Sequence, residues 1–438
     1  MQLYSTNNPN HIVSLKEAVF KSLPQDNGLY MPLFIPQLSS DFFKHLPQYS
    51  FQAVGFEICK ALFQETIPEH EIYNIIEKAI TFPAPVIHLD EHHAVLELFH
   101  GPSLAFKDFG ARFMAQLMSY FNKTDRTNTT ILVATSGDTG GAVASGFYQT
   151  QGVDVIILYP SGKVSPLQEK QLTTLGYNIS AVEVEGTFDD CQALVKQAFL
   201  DKELNQKFNL SSANSINIAR LIPQSFYYFE SYKQLMQYKK DIKVVFSVPS
   251  GNFGNLTAGL FAKKMGLPIA KFLAATNIND VVPTYIHTGV FSPRPSTRTI
   301  SNAMDVGNPS NFTRMLHLYS STWNNMTNDI NGYAYSDKET EEAMKNVYRK
   351  YNYILDPHGA VGFLAANTHL QETKEANQCL VTLETAHPAK FLEDVERVLE
   401  LDLILPQQLA ELMNKEKKSA LLNNDFMEFK SWLLTQNK

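Results

Sequence analysis

The spacing of apolar residues changes several times along this chain, and the changes divide it into segments. Over residues 14–23 and 51–63, apolar residues recur every three or four positions, as in a helix buried on one face. Pro83 and Pro85 then interrupt the pattern. We therefore predict a mostly helical region over residues 1–85.

From residue 86 onward, short β-rich runs alternate with helical runs. The run 153–159 is almost entirely apolar, as expected of a strand that is covered on both faces. The predicted strands are 95–99, 129–135, 153–159, 179–183, 243–248, 270–276 and 379–383. The predicted helices are 104–121, 140–148, 167–175, 189–200, a long one after 217 through 228, 256–265, 339–351 and 359–368. Repeated βα units of this kind predict an α/β fold with parallel sheets flanked by helices.

The length of the chain predicts more than one compact unit, because 438 residues exceed one ordinary core. We expect a larger α/β domain over residues 86–125 and 210–400, with a smaller α/β domain, 126–209, inserted in it. Residues 285–335 have weak periodicity and are expected to be loop with short helices. From residue 401 to 438 the pattern predicts an amphipathic helical tail.

Composition removes several classes of function. Hydrophobic residues make up 44% and charged residues 18%, and the net charge of −7 gives no general attraction to nucleic acid. We find no run of ~18 apolar residues and no signal-peptide pattern, so we expect a cytoplasmic protein without a membrane span. The three cysteines are far apart and predict buried thiols. His88 and His92 have helical spacing but lie in a loop-like stretch without a third ligand, so we predict no metal site.

Lys107 is the first candidate for chemistry. It lies in Gly-Pro-Ser-Leu-Ala-Phe-Lys-Asp-Phe-Gly, residues 101–110, where a strand-like run gives way to a helical one. Apolar surroundings lower the pKa of a lysine and make its amine a better nucleophile. The alternative is an ordinary first-turn lysine that pairs with Asp108 or points into water.

A second segment, Ser-Gly-Asn-Phe-Gly-Asn at residues 250–255, also joins a predicted strand to a predicted helix. Gly251 and Gly254 allow the main chain to approach a ligand closely, and the free N–H groups of a helix start favour an anion. The segment is neither a Walker loop nor a GxGxxG fingerprint. An amine beside a main-chain phosphate site suits an enzyme that holds pyridoxal phosphate as a lysine imine. An ordinary capped βα turn remains the alternative.

Residues 134–142, Ala-Thr-Ser-Gly-Asp-Thr-Gly-Gly-Ala, form a third strand-to-helix turn. Its hydroxyls, glycines and helix N-terminus suit the α-carboxylate of an amino-acid substrate. Three such turns in one parallel sheet would open on the same edge, where α/β proteins bind their ligands. A capped helix without a ligand is again the alternative.

Two further segments supply polar groups. Asn214, Ser215 and Arg220 offer an amide, a hydroxyl and a guanidinium on adjoining turns, which suits a phosphate monoester. A capped helix with an outward arginine is the alternative. Thr385 follows a predicted strand, and its hydroxyl could hydrogen-bond a pyridine nitrogen and leave that nitrogen largely unprotonated.

These segments together resemble the threonine synthases of the longer bacterial and fungal type. This family belongs to the fold-type II pyridoxal-phosphate enzymes, which have a fold like that of the tryptophan synthase β subunit. The resemblance extends nearly from end to end and includes further motifs. These are Gly-Lys-Val-Ser-Pro-Leu-Gln at 162–168, Leu-Asp-Pro-His-Gly-Ala at 355–360 and Thr-Ala-His-Pro-Ala-Lys-Phe at 385–391.

The resemblance implies a lyase of threonine biosynthesis that converts O-phospho-L-homoserine and water into L-threonine and phosphate. Lys107 would hold pyridoxal 5'-phosphate and act as the catalytic base. The implied cofactor-binding residues are Gly251, Asn252, Phe253, Gly254, Asn255, Thr385 and Asp138, and the implied substrate-binding residues are Ser136, Gly137, Thr139, Asn214, Ser215 and Arg220. Asp138 stands where other fold-type II enzymes carry asparagine, so its contact stays open.

Three rival functions are weighed against this one. A related fold-type II lyase or dehydratase would release ammonia and a keto acid from a phosphorylated or hydroxy amino acid. A silent paralogue that acts as a sensor is expected to lack Lys107, and a kinase is expected to carry a Gly-Lys-Ser/Thr loop, which is absent from the sequence. We expect a monomer or homodimer that binds neither nucleic acid nor membrane.

Overall fold

The computed structural model describes residues 1–135, 137–214, 216–239 and 241–436. In chain order its strands are β1 (Gln2–Ser5), β2 (Asn8–Ser14), β3 (Tyr30–Pro32), β4 (Val86–His88), β5 (His93–Glu97), β6 (Thr129–Ala134), β7 (Val153–Pro160), β8 (Ile179–Glu185), β9 (Leu210–Ser211), β10 (Lys243–Pro249), β11 (Ile269–Thr276), β12 (Ile330–Ala334), β13 (Gln378–Glu384) and β14 (Ala420–Asn423).

The helices alternate with the strands from residue 86 onward. In chain order they are α1 (Leu15–Lys21), α2 (Ser40–His45), α3 (Phe51–Phe63), α4 (Glu69–Ala79), α5 (Lys107–Asp125), α6 (Asp138–Phe147), α7 (Pro166–Thr173), α8 (Phe188–Leu200), α9 (Lys202–Lys207), α10 (Ile218–Leu221), α11 (Phe226–Tyr238), α12 (Gly254–Lys264), α13 (Val281–Thr288), α14 (Phe312–Leu318), α15 (Trp323–Asp329), α16 (Asp337–Tyr351), α17 (Pro357–Thr373), α18 (Leu392–Leu399), α19 (Gln407–Met413) and α20 (Phe426–Thr435).

The N-terminal region is helical, as predicted, but it also contains a small sheet. Ser14, Ser39 and Ser50 precede α1, α2 and α3 as N-caps, and each serine side chain accepts a backbone N–H from the first turn of its helix. Strands β1, β2 and β3 form an antiparallel sheet in the order β2-β1-β3, which the helical spacing did not predict. Strands β1 and β3 are only four and three residues long and β2 is mostly exposed, so none of them shows a clear alternation of apolar and polar residues.

The larger sheet has the strand order β12-β11-β10-β13-β5-β4, and every neighbouring pair is parallel except β4 and β5. Strand β12 lies in the stretch 285–335, for which we predicted only loop and short helices. That prediction was wrong at β12, because its pairing with β11 is tertiary and its apolar pattern is interrupted by Asn331 and Gly332. The carboxyl ends of the parallel strands meet at one edge of this sheet.

The smaller sheet has the order β14-β8-β7-β6-β9, and all its neighbouring strands are parallel. Strand β6, which precedes the turn 134–142, lies here, so the prediction that all three glycine-bearing turns share one sheet was wrong, because local pattern does not show which strands pair. Strand β14 comes from the tail that we predicted to be helical throughout. That prediction was incomplete, because over the described residues 401–436 only α19 and α20 are helical and β14 pairs with β8 between them. The boundaries proposed for the two α/β domains stay a prediction.

The helix predicted to run from residue 217 through 228 is interrupted. Helix α10 ends at Leu221, a 3-10 segment follows over Ile222–Ser225, and α11 then begins at Phe226. Pro223 explains the break, because proline lacks the N–H of a regular helix and its ring crowds the preceding turn. Tyr227 and Tyr228 are fully buried, so this aromatic cluster belongs to the core.

Candidate active site

Lys107 is the first residue of α5 and is half-buried. The segment before it is bound to the chain that follows β13. The N–H of Phe106 donates to the carbonyl of Thr385 at 2.9 Å, and the N–H of His387 donates to the carbonyl of Leu104 at 3.0 Å. These bonds hold the segment of Lys107 beside that of Thr385. The two residues belong to separate motifs in the sequence.

Asp108, the neighbour of Lys107, is fully buried. Its Oδ2 accepts the N–H of Ser103 at 2.8 Å, and its Oδ1 has no hydrogen-bond partner among the described residues. Burial raises the pKa of Asp108 to about 6, although Lys390 and the Ser103 N–H act in the opposite direction. A Cβ on Gly101 would lie 2.4 Å from Oδ2, so only glycine fits at position 101.

The glycine turn, residues 250–255, lies at the same sheet edge. Strands β10 and β13 are neighbours with Ser247 opposite Thr382, so Ser250 and Thr385 each lie three residues beyond this pair. Phe253 adopts a left-handed conformation with φ 58°, and α12 begins at the next residue, Gly254. The main chain therefore bends sharply and turns the first N–H groups of α12 toward this edge.

Asn255 is held in this turn by two tyrosines. Its Oδ1 accepts the hydroxyls of Tyr227 at 2.7 Å and Tyr228 at 2.8 Å, which fixes the amide orientation. Burial raises the pKa of both tyrosines well above the ordinary value, so their hydroxyls stay protonated and donate. The Nδ2 of Asn255 is buried without a partner among the described residues. A turn with free helix N–H groups and a spare amide donor fits the phosphate of pyridoxal phosphate.

The turn predicted for the substrate carboxylate is organised by a residue that the sequence did not single out. The Oγ1 of Thr135 accepts the N–H groups of Gly137 at 3.0 Å and Gly140 at 2.9 Å. These two donors are therefore occupied, contrary to their expected use for a carboxylate. Thr139 is half-buried in the first turn of α6. Ser136 and the side chain of Asp138 lie outside the described residues.

In the segment predicted to bind a phosphate monoester, Asn214 is exposed and Ser215 lies outside the described residues. Arg220 does not point into solvent. It is 1% exposed, its Nη1 donates to the carbonyl of Ala213 at 2.7 Å, and its Nε has no hydrogen-bond partner among the described residues. Burial lowers the pKa of Arg220 to about 10, and Asp108 opposes this shift. The side chain remains a cation at neutral pH.

Gln171 and Lys390 meet at the carbonyl of Ser103, in the segment that precedes Lys107. The sequence analysis singled out neither residue. Gln171 of α7 donates to the carbonyl of Ser103 at 3.3 Å. Lys390 donates to the same carbonyl at 3.0 Å and to Oε1 of Gln171 at 3.1 Å. Both residues lie in or next to the quoted motifs 162–168 and 385–391, which were the available signal.

Glu384, the residue before Thr385, is fully buried against the first turn of α17. Its Oε1 accepts the N–H of Asp356 at 2.6 Å. A Cβ on Gly359 would lie 1.5 Å from its Oε2, so no side chain fits at 359. Burial and the nearby Asp356 raise the pKa of Glu384 well above its ordinary value.

A large cavity lies away from these residues. It has a volume of about 1180 Å³ and is lined by α1, α8 and the chain around β9, with Asn214 on its wall. Lys107, the glycine turn and Thr385 do not line it. In the part of the chain that the structure describes, no cluster of three or more His, Cys, Asp or Glu side chains could hold a metal ion. No described helix is both long and apolar enough to cross a membrane.

Comparison with known families accounts for this arrangement. A family model described as pyridoxal-phosphate dependent enzyme matches residues 81–384. Models described as threonine synthase N terminus and threonine synthase C-terminal match residues 2–80 and 359–432. The chain belongs to the threonine synthase family. The predicted family, fold class and cofactor are thereby confirmed.

Individual threonine synthases align along the whole chain. The threonine synthase of Haemophilus influenzae is 46% identical, and the alignment covers 99% of this chain and 100% of the relative. The crystal structure of threonine synthase from Escherichia coli has a TM-score of 0.89 at 43% identity and full coverage of both chains. The structure of pyridoxal-phosphate-bound threonine synthase from Brucella melitensis has a TM-score of 0.92 at 33% identity, with 99% and 98% coverage.

Proposed function

We propose that this threonine synthase family member converts O-phospho-L-homoserine and water into L-threonine and phosphate, with Lys107 as the residue that carries the cofactor. The observation that carries this proposal is the backbone pairing of residues 104–106 with 385–387 at the sheet edge that also holds the glycine turn. This pairing supports the proposal because it holds the segments of Lys107 and Thr385 side by side, at the edge where we place the anion site.

In this proposal the cofactor phosphate lies on the turn formed by Gly251, Asn252, Phe253, Gly254 and Asn255. The N–H groups at the start of α12 and the spare Nδ2 of Asn255 are its donors. Thr385 faces the pyridine nitrogen, and Asp138 makes a further contact to the cofactor. When bound, pyridoxal phosphate supplies an electron sink for carbanions next to the amino group.

Lys107 moves the protons of the reaction. With substrate bound, the free ε-amine of Lys107 would accept the proton from the α carbon of the substrate. Its place at the start of α5 limits its reach to the edge where Thr385 lies. For phosphate to leave the γ carbon with the electron pair of its C–O bond, a proton must also leave the β carbon. The γ carbon would then gain a proton, the hydroxyl of water would add at the β carbon, and the α carbon would regain its proton. A neutral hydroxyl from Thr385, in place of a carboxylate, disfavours a charged pyridine nitrogen and helps electrons move onward toward the β and γ carbons.

The substrate is proposed to bind through its two anionic ends. Ser136 and Thr139 bind the α-carboxylate at the start of α6, in the turn that Gly137 forms. Since Thr135 already accepts the N–H of Gly137, the hydroxyl and the backbone N–H of Thr139 are the donors that we assign to the carboxylate. Asn214, Ser215 and Arg220 bind the phosphate. Arg220 donates to the carbonyl of Ala213, next to Asn214, and supplies a permanent positive charge close to this segment.

The test is product analysis with the purified holoenzyme. Incubation with O-phospho-L-homoserine is expected to release phosphate and L-threonine in equal amounts. In ¹⁸O-labelled water the label enters the threonine hydroxyl and not the phosphate, because the γ carbon–oxygen bond breaks. Release of ammonia and 2-oxobutyrate instead would identify the rival lyase of the same fold.

We propose that the enzyme works in the cytoplasm. Cys59, Cys191 and Cys379 are free and buried, which is consistent with a reducing cytoplasm. We propose a monomer or homodimer whose partner is the small-molecule substrate. The acidic net charge gives no basis for nucleic-acid binding.

A further inference from the structure

Arg314 of α14 is a second fully buried arginine, and its role is not explained by the residues described so far. Its Nε and Nη2 donate to the carbonyl of Tyr30 at 3.1 and 2.9 Å, and Nη2 also donates to the carbonyl of Ile216 at 2.6 Å. Its Nη1 donates to Oδ1 of Asn311 at 2.7 Å. All of these acceptors are neutral, so the charge is buried without a described carboxylate partner.

Asn311 connects this charge to the glycine turn. The N–H of Asn311 donates to the carbonyl of Asn252 at 3.2 Å, and the N–H of Ser310 donates to Oδ1 of Asn252 at 3.2 Å. A Cβ on Gly254 would lie 3.4 Å from Nδ2 of Asn311. That Nδ2 is buried and has no partner among the described residues. Arg314 fixes the Oδ1 end of the amide, so the donor end faces the turn.

The contact with Ile216 connects the same charge to the other phosphate segment, residues 214–220. Tyr30 belongs to β3, so the guanidinium joins the N-terminal sheet, α14 and this segment through three acceptors. Burial of an unpaired cation is costly unless an anion is near. Two phosphate groups bound on either side of Arg314 would offset that cost.

We propose that Arg314 is a positioning residue that fixes the cofactor-phosphate turn through Asn311 and the substrate-phosphate segment through Ile216, and that its buried charge favours the phosphate anions bound there. This inference rests on the proposed function, which places the cofactor phosphate on residues 251–255. It adds a residue that no motif in the sequence indicated.

The sharpest test is Asn311→Asp, a change of nearly the same shape. The carboxylate still accepts from Arg314, so a purely structural role for Arg314 predicts unchanged or higher stability and unchanged cofactor binding. Neutralisation of the buried charge beside the turn predicts weaker binding of pyridoxal phosphate, by about tenfold or more. Binding of pyridoxal, which lacks the phosphate, is expected to change by less than about threefold.

The measurement is titration of the cofactor-free full-length protein with pyridoxal phosphate and, separately, with pyridoxal, followed by absorbance. Melting temperatures of the cofactor-free variants show whether each one folds. Asn122→Asp is the matched control, because Asn122 is also a buried amide but lies near the opposite end of α5. It is expected to leave the ratio of the two dissociation constants unchanged.

Arg314→Lys provides a second test that keeps the charge but loses the forked geometry. It is expected to lower affinity for pyridoxal phosphate less than Asn311→Asp does, because the cation remains. The proposal is overturned if Asn311→Asp leaves the ratio of the two dissociation constants unchanged. That holds whether both ligands bind normally or both bind more weakly by the same factor.

Gly251→Ala separates this inference from the proposed function. A Cβ at 251 would lie 2.6 Å from the carbonyl of Ala303, so the variant distorts the turn itself. Loss of the preference for pyridoxal phosphate in Gly251→Ala, together with a normal ratio in Asn311→Asp, would refute the role of Arg314 alone. An unchanged ratio of the two dissociation constants in Gly251→Ala would show that the cofactor phosphate does not bind at this turn. That result would refute both the proposed cofactor site and the role of Arg314.

Discussion

The main chain of Phe106 donates a hydrogen bond to the carbonyl of Thr385, and this bond sets the position of the residue that follows, Lys107. The two segments are far apart in the sequence and are further joined by an antiparallel bridge between Ala105 and Ala386. The lysine and the hydroxyl are therefore held by backbone contacts, which do not depend on the rotamer of either side chain.

Lys107→Ala is expected to abolish turnover and the cofactor absorbance near ~420 nm, because the variant lacks the amine proposed to bind the cofactor. The protein should remain folded, since Lys107 is only half-buried. Spectra and product assays of the purified variant check both effects. Lys123→Ala is the control, because this lysine is exposed on the last turns of the same helix. A Lys107→Ala enzyme that is still coloured and active would exclude Lys107 as the cofactor-carrying residue.

Asp108→Asn is expected to change how stability depends on pH. The pKa of Asp108 is raised by burial from about 3.8 to about 6. The unfolded carboxyl ionises first, so its contribution to stability is complete below about pH 3.8 and is lost as pH rises through about 6. Two pKa units correspond to about 3 kcal/mol.

Urea unfolding of wild type and Asp108→Asn between pH 4 and pH 8 measures this effect. The free energy of unfolding of wild type, relative to the variant, should fall by about 3 kcal/mol over that range. Parallel pH profiles of the two proteins would show that Asp108 does not titrate in this window.

Arg220→Ala is expected to weaken binding of O-phospho-L-homoserine by about 1.5–3 kcal/mol, the range of a charged hydrogen bond. Binding of L-threonine, which carries no phosphate, should change little. Arg220→Lys is the matched variant, since it retains the charge and should lose less. Equal losses for the phosphorylated and unphosphorylated ligands would assign Arg220 to folding, as its contact with Ala213 also allows.

Gly359→Ala is expected to destabilise the protein by about 1–3 kcal/mol, because the new methyl group would occupy the position of Glu384 Oε2. In a Glu384→Ala background the same change should cost much less, since the obstructing carboxyl is gone. A double-mutant cycle by thermal or urea unfolding measures this coupling. Additive effects would show that α17 moves away from β13 without cost.

Much of the α/β core could be predicted from local pattern. Helix α3 has the predicted bounds, and the strands from β6 to β8 lie within about two residues of their predicted positions. The placement of Ser250 and Thr385 at one edge was also predictable, because parallel strands end on the same side of a sheet. Helix propensity did not reveal the break at Pro223, which follows from its missing N–H.

The rest depended on contacts between distant residues. Asn255 is oriented by Tyr227 and Tyr228, which lie 28 and 27 residues earlier, and no local pattern connects them. Lys390 meets Gln171 across 219 residues. The use of Thr135 as the acceptor for Gly137 is local, but several residues in that turn could serve, and only the geometry selects one. Short strands such as β14 become strands only through their partners.

The pairing of β14 with β8 has a consequence for how the protein is made. Strand β8 is complete at residue 185, but β14 emerges from the ribosome more than 230 residues later. Until then one edge of β8 has no neighbour, and the apolar face of α8 lacks Leu422, Phe429 and Leu433 from the late segment. Ribosome-associated chaperones are therefore expected to protect this edge during translation, and truncation before residue 420 should yield aggregates even though every proposed catalytic residue is present.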